Sequence, residues 1–244
     1  MDIPLTSIFG CARMIIFQND NPDYPVSISG SGFIVRYRSR LFVVTALHVT
    51  KGFEHHQVRV QYHPNMSTVI PLLRPYTIAG NDPDDTDQYD IIVLAVDEAK
   101  LDPALFGEYR PYDLLEMDAL TIFNPTSSFA SRGFPTCLRR LSYDERSVDF
   151  ESLIVDAAYE GRAGPKETHL LRVHRADEIE SFDGMSGAPV FQVRQDEEKY
   201  SHATFAGMLL RGGATSGIVR FLEHGKIISV LTKIVTGDVE PTEE

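Results

Sequence analysis

Three polar side chains occupy places in the sequence where acyl-transfer chemistry could be assembled. His48 ends the apolar run LFVVTALHV, Asp90 begins the run YDIIVLAV, and Ser186 lies in the glycine-rich stretch FDGMSGAPVF. A polar ring or a carboxylate at the end of a buried strand is unfavourable unless a partner satisfies it. Each residue alone is typical of a structural feature, whereas the three together form an ordered set of histidine, acid and serine.

The chemistry of such a set is nucleophilic attack on a carbonyl group. A serine hydroxyl is a poor nucleophile at neutral pH and needs a base within hydrogen-bonding distance. A histidine with an ordinary pKa of about 6.5 can take the proton and later deliver it to the leaving group. We therefore expect His48 Nε2 to lie about 2.6–3.2 Å from Ser186 Oγ, with Asp90 at the other ring nitrogen.

The remaining polar clusters give no clear metal or cofactor site. His169 and His174 share a predicted strand, but no acidic or cysteine partner stands at metal-ligand spacing. Other histidines, such as His224, lie in polar contexts that favour a solvated or hydrogen-bonded surface position. The acidic run NDPDDTDQYD, residues 81–90, could bind calcium or be a solvated loop, and it lacks the EF-hand pattern. We expect no metal and no cofactor.

The elements that would position these residues are mainly strands. Alternating segments such as GFIVRYR, QVRVQYH, HLLRVHR and APVFQVR are separated by turn clusters, and VDFESLIV reads as a further strand. Near the end, apolar residues recur at helical spacing from Ile227 to Val235, and Gly237 follows at a C-cap position. We predict an all-β chain with a C-terminal helix.

The strand pattern pauses once, which suggests two β-rich halves. The pause lies in EYRPYDLLEMD. We predict an N-terminal domain over residues 1–108, a connector over 109–118, a second domain over 119–224, and a helix with an acidic tail over 225–244.

Composition excludes several classes of partner. Lysine and arginine total 23 against 35 acidic residues, for a net charge of −12. Such a surface repels phosphate backbones and anionic lipid, so neither nucleic acid nor a membrane is expected as a partner. The N-terminal segment lacks a basic stretch followed by an apolar core, so no signal peptide is predicted.

The cysteine content points to a reducing compartment. The chain has two cysteines, Cys11 and Cys137, far apart in sequence and in different predicted halves. That is no disulfide framework, so we expect both thiols to be unbonded and the location to be cytoplasmic.

The motifs TALHV, YDIIVLAV and GMSGAPVF, together with GSGFIV ahead of the histidine, resemble the chymotrypsin-like serine peptidases, especially bacterial Deg/Htr and glutamyl-endopeptidase members. The resemblance runs from about residue 7 to residue 235. It implies two six-stranded antiparallel β-barrels with the site in the cleft between them. It also implies a trypsin-like serine endopeptidase acting on protein or peptide substrates, with His48 as base, Asp90 as its orienting acid and Ser186 as nucleophile.

The resemblance extends to the oxyanion site and shows one departure. The N–H groups of Gly184 and Ser186 would face the developing oxyanion, in a turn that side chains would crowd. Zymogen-activated relatives carry an aspartate immediately before the serine, which pairs with a freed N-terminal amine. This chain has Met185 there. Activation by clipping is therefore not expected, and the turn must be ordered in some other way.

The resemblance also implies where specificity would arise. Glu180 and Ser181 would lie at the base of the primary pocket, where an unpaired acid favours cleavage after Arg or Lys. The other interpretation is that Glu180 is solvated or paired with Arg211 or Arg220. The segment of Leu210, Arg211 and Gly212 would align the substrate backbone as an added strand.

Two other functions remain open on the same fold. One is a latent protease that a partner protein or ligand activates by ordering the oxyanion turn. The other is a catalytically silent module that holds a peptide in the cleft. The α/β-hydrolase fold fits less well. Its G-x-S-x-G elbow needs a glycine where this chain has Ala188, and its triad follows the chain order serine, acid, histidine.

Overall fold

The structure is a computed structural model that describes residues 9–64, 66–78, 87–116, 122–143, 147–164, 167–195 and 201–242. These residues form mainly antiparallel strands, followed by one α-helix near the end of the described chain. The acidic segment 81–86, which belongs to the run considered for calcium, lies outside the described residues.

The N-terminal half forms a curled seven-stranded sheet. Its strands are β1 (Ala12–Gln18), β2 (Val26–Tyr37), β3 (Arg40–Thr45), β4 (Val58–Arg59), β5 (Leu72–Thr77), β6 (Ile92–Val96) and β7 (Tyr112–Asp113). Six of them run in the order β4-β1-β2-β3-β6-β5, while β7 pairs with β2 in parallel. Within the described residues the two outer strands β4 and β5 do not pair, so this sheet is a half-barrel.

The C-terminal half forms a closed six-stranded barrel in the order β11-β12-β15-β14-β13-β8. Its strands are β8 (Ser128–Gly133), β11 (Leu153–Arg162), β12 (Thr168–Val173), β13 (Pro189–Gln195), β14 (Ser201–Gly213) and β15 (Ile218–Glu223). A separate hairpin of β9 (Arg139–Ser142) and β10 (Ser147–Phe150) lies between β8 and β11 in the sequence.

Hydrophobic alternation explains why these segments are strands. Phe33, Val35 and Tyr37 of β2 are buried, as their shared face predicts. Ile34 on the opposite face is buried as well, because this central strand is covered on both sides. The predicted strand VDFESLIV is two strands in the structure, since its first part pairs with β9 and its second part enters the barrel.

The helix α1 (His224–Thr236) ends where the sequence indicated, at Gly237 in the left-handed region with φ of 80°. Its buried face, with Ile227 and Leu231, belongs to a core cluster that also contains Phe33 of β2 and Phe205 of β14. The N-terminal sheet and the C-terminal barrel are therefore held together by one continuous apolar core.

The prediction of a chymotrypsin-like double barrel with a C-terminal helix is confirmed, but the N-terminal sheet differs from the predicted six antiparallel strands because it has seven strands and β7 pairs in parallel. The proposed domain boundaries stay a prediction, and residues 117–121 near the second boundary lie outside the described chain. Neither Cys11 nor Cys137 forms a disulfide, as expected. Within the described residues, no helix is long and apolar enough to cross a membrane.

Candidate active site

Strand pairing brings His48 and Asp90 together. His48 lies in a short 3-10 helix (Leu47–Thr50) that follows β3, and Asp90 lies just before β6. The two strands are antiparallel neighbours, with Thr45 at the end of β3 opposite Ile92 at the start of β6. The polar residues that follow one strand and precede the other therefore meet at the same edge of the sheet.

The Asp90 carboxylate forms hydrogen bonds with both the ring and the backbone N–H of His48. Asp90 Oδ2 lies 2.5 Å from His48 Nδ1, and Asp90 Oδ1 accepts a bond of 2.9 Å from the His48 backbone N–H. With the ring proton on Nδ1, Nε2 of a neutral imidazole carries a lone pair. Within the described residues Nε2 has no hydrogen-bond partner, so the ring is oriented and its basic nitrogen is available.

Ser186 lies in two consecutive tight turns, each with glycine in third place. The N–H of Met185 donates to the carbonyl of Phe182 at 2.9 Å, and the N–H of Ala188 donates to that of Met185 at 3.0 Å. The third residues are Gly184 and Gly187, with φ of 88° and 87°. A positive φ at this place in a turn strongly favours glycine, which explains the spacing in GMSGA.

The turn that contains Ser186 and Gly187 packs closely against the N-terminal sheet. A Cβ on Gly187 would lie 2.0 Å from the carbonyl oxygen of Ser31 and 2.4 Å from Thr45 Oγ1, so no side chain fits. The N–H of Ser31 donates to the carbonyl of Ser186 at 2.9 Å. The serine of the C-terminal barrel is thus docked beside the strand that leads to His48.

The backbone around Ser186 provides two free amide donors. The carbonyl of Asp183 accepts a hydrogen bond of 2.7 Å from the N–H of Thr136. Because carbonyl and N–H point in opposite directions across a trans peptide, the N–H of Gly184 points away from Thr136. Among the described residues neither this N–H nor that of Ser186 has a partner. The pair predicted as an oxyanion site is therefore available to a ligand.

The Ser186 hydroxyl does not make the expected bond to His48. It donates instead to the carbonyl of Leu210 at 2.6 Å. The register between β14 and β15 shifts between Leu209 and Arg211, which leaves Leu210 without a ladder partner. The serine hydroxyl satisfies that carbonyl.

His48 and Ser186 nevertheless line one pocket of about 250 Å³. Its walls also include Gly184, Arg211 and Gly212. The structure therefore brings the predicted histidine, serine and part of the predicted alignment segment around one space, with Asp90 directly behind the histidine.

Glu180 does not occupy the buried position that the resemblance implied. Its side chain is exposed, and it does not line the pocket. Ser181 is half-buried and outside the pocket lining as well, and its hydroxyl accepts a hydrogen bond of 3.0 Å from the N–H of Asp183. Both residues lie between the short 3-10 helix Ala176–Glu178 and the first tight turn.

The arginines considered as partners for Glu180 bind a different acid. Arg211 Nη2 lies 2.6 Å from Asp87 Oδ2, and Arg220 donates to the same oxygen. Asp87 is buried in a short 3-10 helix that ends at Tyr89. In the sequence Asp87 is one of several acids in a charged run. Only its position three residues before Asp90 could have marked it as an acid close to the pocket.

A second histidine–carboxylate pair lies in the C-terminal barrel. His169 Nε2 is 3.1 Å from Glu223 Oε2, and His169 Nδ1 is 2.8 Å from the hydroxyl of Tyr159. The hydrogen bond with His169 lowers the pKa of Glu223, and burial raises the pKa of Tyr159. This acid was missed because β12 and β15 are distant in sequence. His224, expected at the surface, is fully buried and contacts the Ala206 carbonyl.

The described residues contain no group of three or more histidine, cysteine, aspartate or glutamate side chains that could hold a metal ion. The pocket is lined by an imidazole, a hydroxyl and the backbone of Gly184, and groups of these kinds take part in acyl transfer.

No family model matches the sequence, and no curated protein matches it. Among solved structures, the chain is similar to the scabies mite inactivated protease paralogue S-D1, with a TM-score of 0.63 and 15% sequence identity. The similarity covers 97% of this chain and 96% of that chain. At this identity the likeness concerns the fold, and it agrees with the strand topology: the chain has the chymotrypsin-like double β-barrel fold.

Proposed function

We propose that the protein is a serine endopeptidase that uses His48, Asp90 and Ser186 as a catalytic triad and forms a covalent acyl-enzyme. One observation carries the proposal. A histidine anchored by a carboxylate and a serine beside two amide groups that have no partner within the described residues share a single pocket.

Substrate binding would change the partner of Ser186. An extended peptide laid along Leu210, Arg211 and Gly212 adds a strand to the barrel, and one of its N–H groups donates to the carbonyl of Leu210 in place of Ser186. The Ser186 hydroxyl then loses its acceptor and turns toward His48. In this account the resting hydrogen bond is broken by the substrate itself.

The reaction then follows from the positions of the groups. Ser186 Oγ attacks the peptide carbonyl while His48 Nε2 takes its proton, and Asp90 stabilises the imidazolium. The carbonyl oxygen becomes an anion that accepts hydrogen bonds from the N–H groups of Gly184 and Ser186. His48 next gives its proton to the leaving amine, and the acyl group stays on Ser186. Water then attacks the acyl-enzyme while His48 takes its proton, and His48 returns that proton to Ser186 Oγ as the acid product leaves.

The finer assignments are part of the same proposal. The methionine before the serine, and two cysteines that form no disulfide, support the bacterial type of the fold and a cytoplasmic location. Preference for a basic residue at the cleavage site is not included, because Glu180 is exposed and does not line the pocket.

Hydrolysis of a peptide library tests the proposal. The purified protein should cleave a defined subset of peptides, and Ser186→Ala should abolish that cleavage while leaving the melting temperature unchanged. Cleavage that survives in Ser186→Ala would assign the activity to a contaminant or to another site.

A specific observation favours a second candidate, a latent or silent form of the same fold. The Ser186 hydroxyl is bound to Leu210 and not to His48. Reaction of the tagged protein with a fluorophosphonate, with and without cell lysate, separates the possibilities. Labelling in buffer alone indicates a constitutive enzyme, and labelling only with lysate indicates activation by a partner. No labelling in either condition indicates a peptide-binding module.

A further inference from the structure

The residue before the nucleophile raises the question of what orders the oxyanion turn. Met185 is uncharged, so it cannot form an ion pair there. Its side chain is buried and packs against Gly133, where an added Cβ would lie 2.7 Å from Met185 Sδ. Packing fills the space beneath the turn, but it does not fix the direction of the peptide groups, which are polar and need hydrogen bonds.

Ser31 supplies a side-chain hydrogen bond to that turn. It lies in β2 and is fully buried. Its hydroxyl donates to the carbonyl of Gly184 at 2.7 Å and accepts from the N–H of Phe134 at 2.9 Å. One hydroxyl therefore joins three segments: the N-terminal sheet, the chain that leaves β8, and Gly184, which lines the pocket.

The backbone of Ser31 is fixed independently of its hydroxyl. Its N–H donates to the carbonyl of Ser186 at 2.9 Å, and its carbonyl accepts from Thr45 Oγ1 at 2.6 Å. The hydroxyl is therefore delivered from a strand whose position does not depend on it. Removing the hydroxyl alone leaves the docking of the serine turn on β2 in place.

Arg139 contacts the same carbonyl. Its Nη2 lies 3.4 Å from the carbonyl of Gly184 and also donates to that of Phe134. No carboxylate forms an ion pair with it among the described residues, and burial lowers its pKa to about 10. The 3.4 Å bond is long, so the shorter Ser31 bond is the main hydrogen bond to the Gly184 carbonyl.

We propose that Ser31 is a positioning residue that holds the Gly184 carbonyl, and with it the oxyanion turn, in the formed arrangement without an N-terminal ion pair. The inference rests on the proposed function for its kinetic consequence, but its structural part stands on the contacts alone. It implies that the oxyanion site is ready before any processing or partner, and that the Ser186 hydroxyl is the group left to move.

The chain offers a matched control for the test. Ser131 is also a buried serine whose hydroxyl donates to a backbone carbonyl, that of Pro189, at 2.8 Å. Ser31→Ala and Ser131→Ala therefore remove the same group from similar surroundings. Only the first change touches the oxyanion turn.

The kinetic arm separates positioning from general destabilisation. Ser31→Ala should lower kcat by about 10²-fold, comparable with the loss of one oxyanion donor, while KM stays within about threefold. Ser131→Ala should leave kcat and KM within about threefold of the unchanged chain, although its melting temperature should fall by about as much as that of Ser31→Ala. Equal kcat in the two variants, or a loss confined to KM, would overturn the proposal.

The structural arm does not depend on catalysis. Hydrogen–deuterium exchange of the turn amides of Met185 and Ala188 should be about tenfold faster in Ser31→Ala than in either Ser131→Ala or the unchanged chain. Unchanged exchange there would refute the positioning role. Faster exchange in a chain that cleaves no peptide would keep that role and reject the peptidase function.

Discussion

Each half of the molecule contains a histidine bound to a carboxylate, and the two pairs have opposite characters. In the N-terminal half His48 binds Asp90, and its side chain is 45% exposed. In the C-terminal barrel His169 binds Glu223, and its side chain is 4% exposed. The chemical groups are alike, so the difference lies in what surrounds them.

The second ring nitrogen distinguishes the pairs. Nδ1 of His169 is bonded to the Tyr159 hydroxyl, so both nitrogens are engaged and the ring has no capacity left for proton transfer to a substrate. Nε2 of His48 has no hydrogen-bond partner within the described residues, and His48 lines the pocket with Ser186. A histidine–carboxylate pair becomes a catalytic base only when one nitrogen is left open beside a nucleophile.

The largest expected effect is the loss of catalysis on changing His48. His48→Asn removes the base but keeps a polar group beside Asp90, and kcat should fall at least about 10⁴-fold with little change in melting temperature. Steady-state hydrolysis and a thermal melt check this. A variant that retains a tenth of the activity would show that His48 is not the base.

The opposite result is expected for the other pair. His169→Phe leaves the Tyr159 hydroxyl and the Glu223 carboxylate without their partner in a partly buried place, and should destabilise the fold by about 2–3 kcal/mol. The kcat should stay within about threefold. Exposed His174, at the end of the same strand, is the control, and His174→Ala should change stability by less than about 0.5 kcal/mol.

The pH dependence of stability should also follow the buried pair. The hydrogen bond from His169 lowers the pKa of Glu223 below its ordinary value of 4.5. A carboxylate with a lowered folded-state pKa stabilises the fold in full above its unfolded pKa, and this contribution is lost as pH falls through the folded value. Urea unfolding from pH 7 to pH 3 should therefore show a loss of stability below pH 4.5.

Glu223→Gln provides the comparison for that titration. The variant should be less stable near neutral pH and should lose less stability on acidification than the unchanged chain. Parallel curves for the two proteins would mean that Glu223 does not contribute to acid sensitivity.

The smallest effect is expected at Glu180. Because this side chain is exposed and outside the pocket lining, Glu180→Gln should change kcat/KM by less than about twofold for peptides with Arg, Lys or Leu before the cleaved bond. A selective loss of about tenfold or more for the basic peptides would place Glu180 in the primary pocket after all.

The sequence predicted the features that depend on local patterns. Strand alternation and the polar residues at strand ends were enough to select His48 and Asp90, and helical spacing with Gly237 was enough to predict α1. The glycines around Ser186 predicted a tight turn, because positive φ values are a local requirement of the chain.

The features that the sequence did not reveal depend on contacts between distant strands. The partner of the Ser186 hydroxyl depends on a register shift in β14 at Leu210. The pairing of Asp87 with Arg211 spans 124 residues, and no charge pattern distinguishes Asp87 from the other acids around it. Ser31 showed only as part of a glycine-rich strand, because its role comes from facing Gly184 across the interface of the two halves.

The most direct test of the triad is a crystal structure of the protein with a peptidyl boronic acid. We predict a covalent bond from Ser186 Oγ to boron, and one boronate oxygen about 2.7–3.1 Å from the amide nitrogens of Gly184 and Ser186. His48 Nε2 should lie within hydrogen-bonding distance of the boronate group, and the bond to Leu210 should be broken. A peptide bound in the cleft with Ser186 still bonded to Leu210 and no bond to boron would contradict the proposed function.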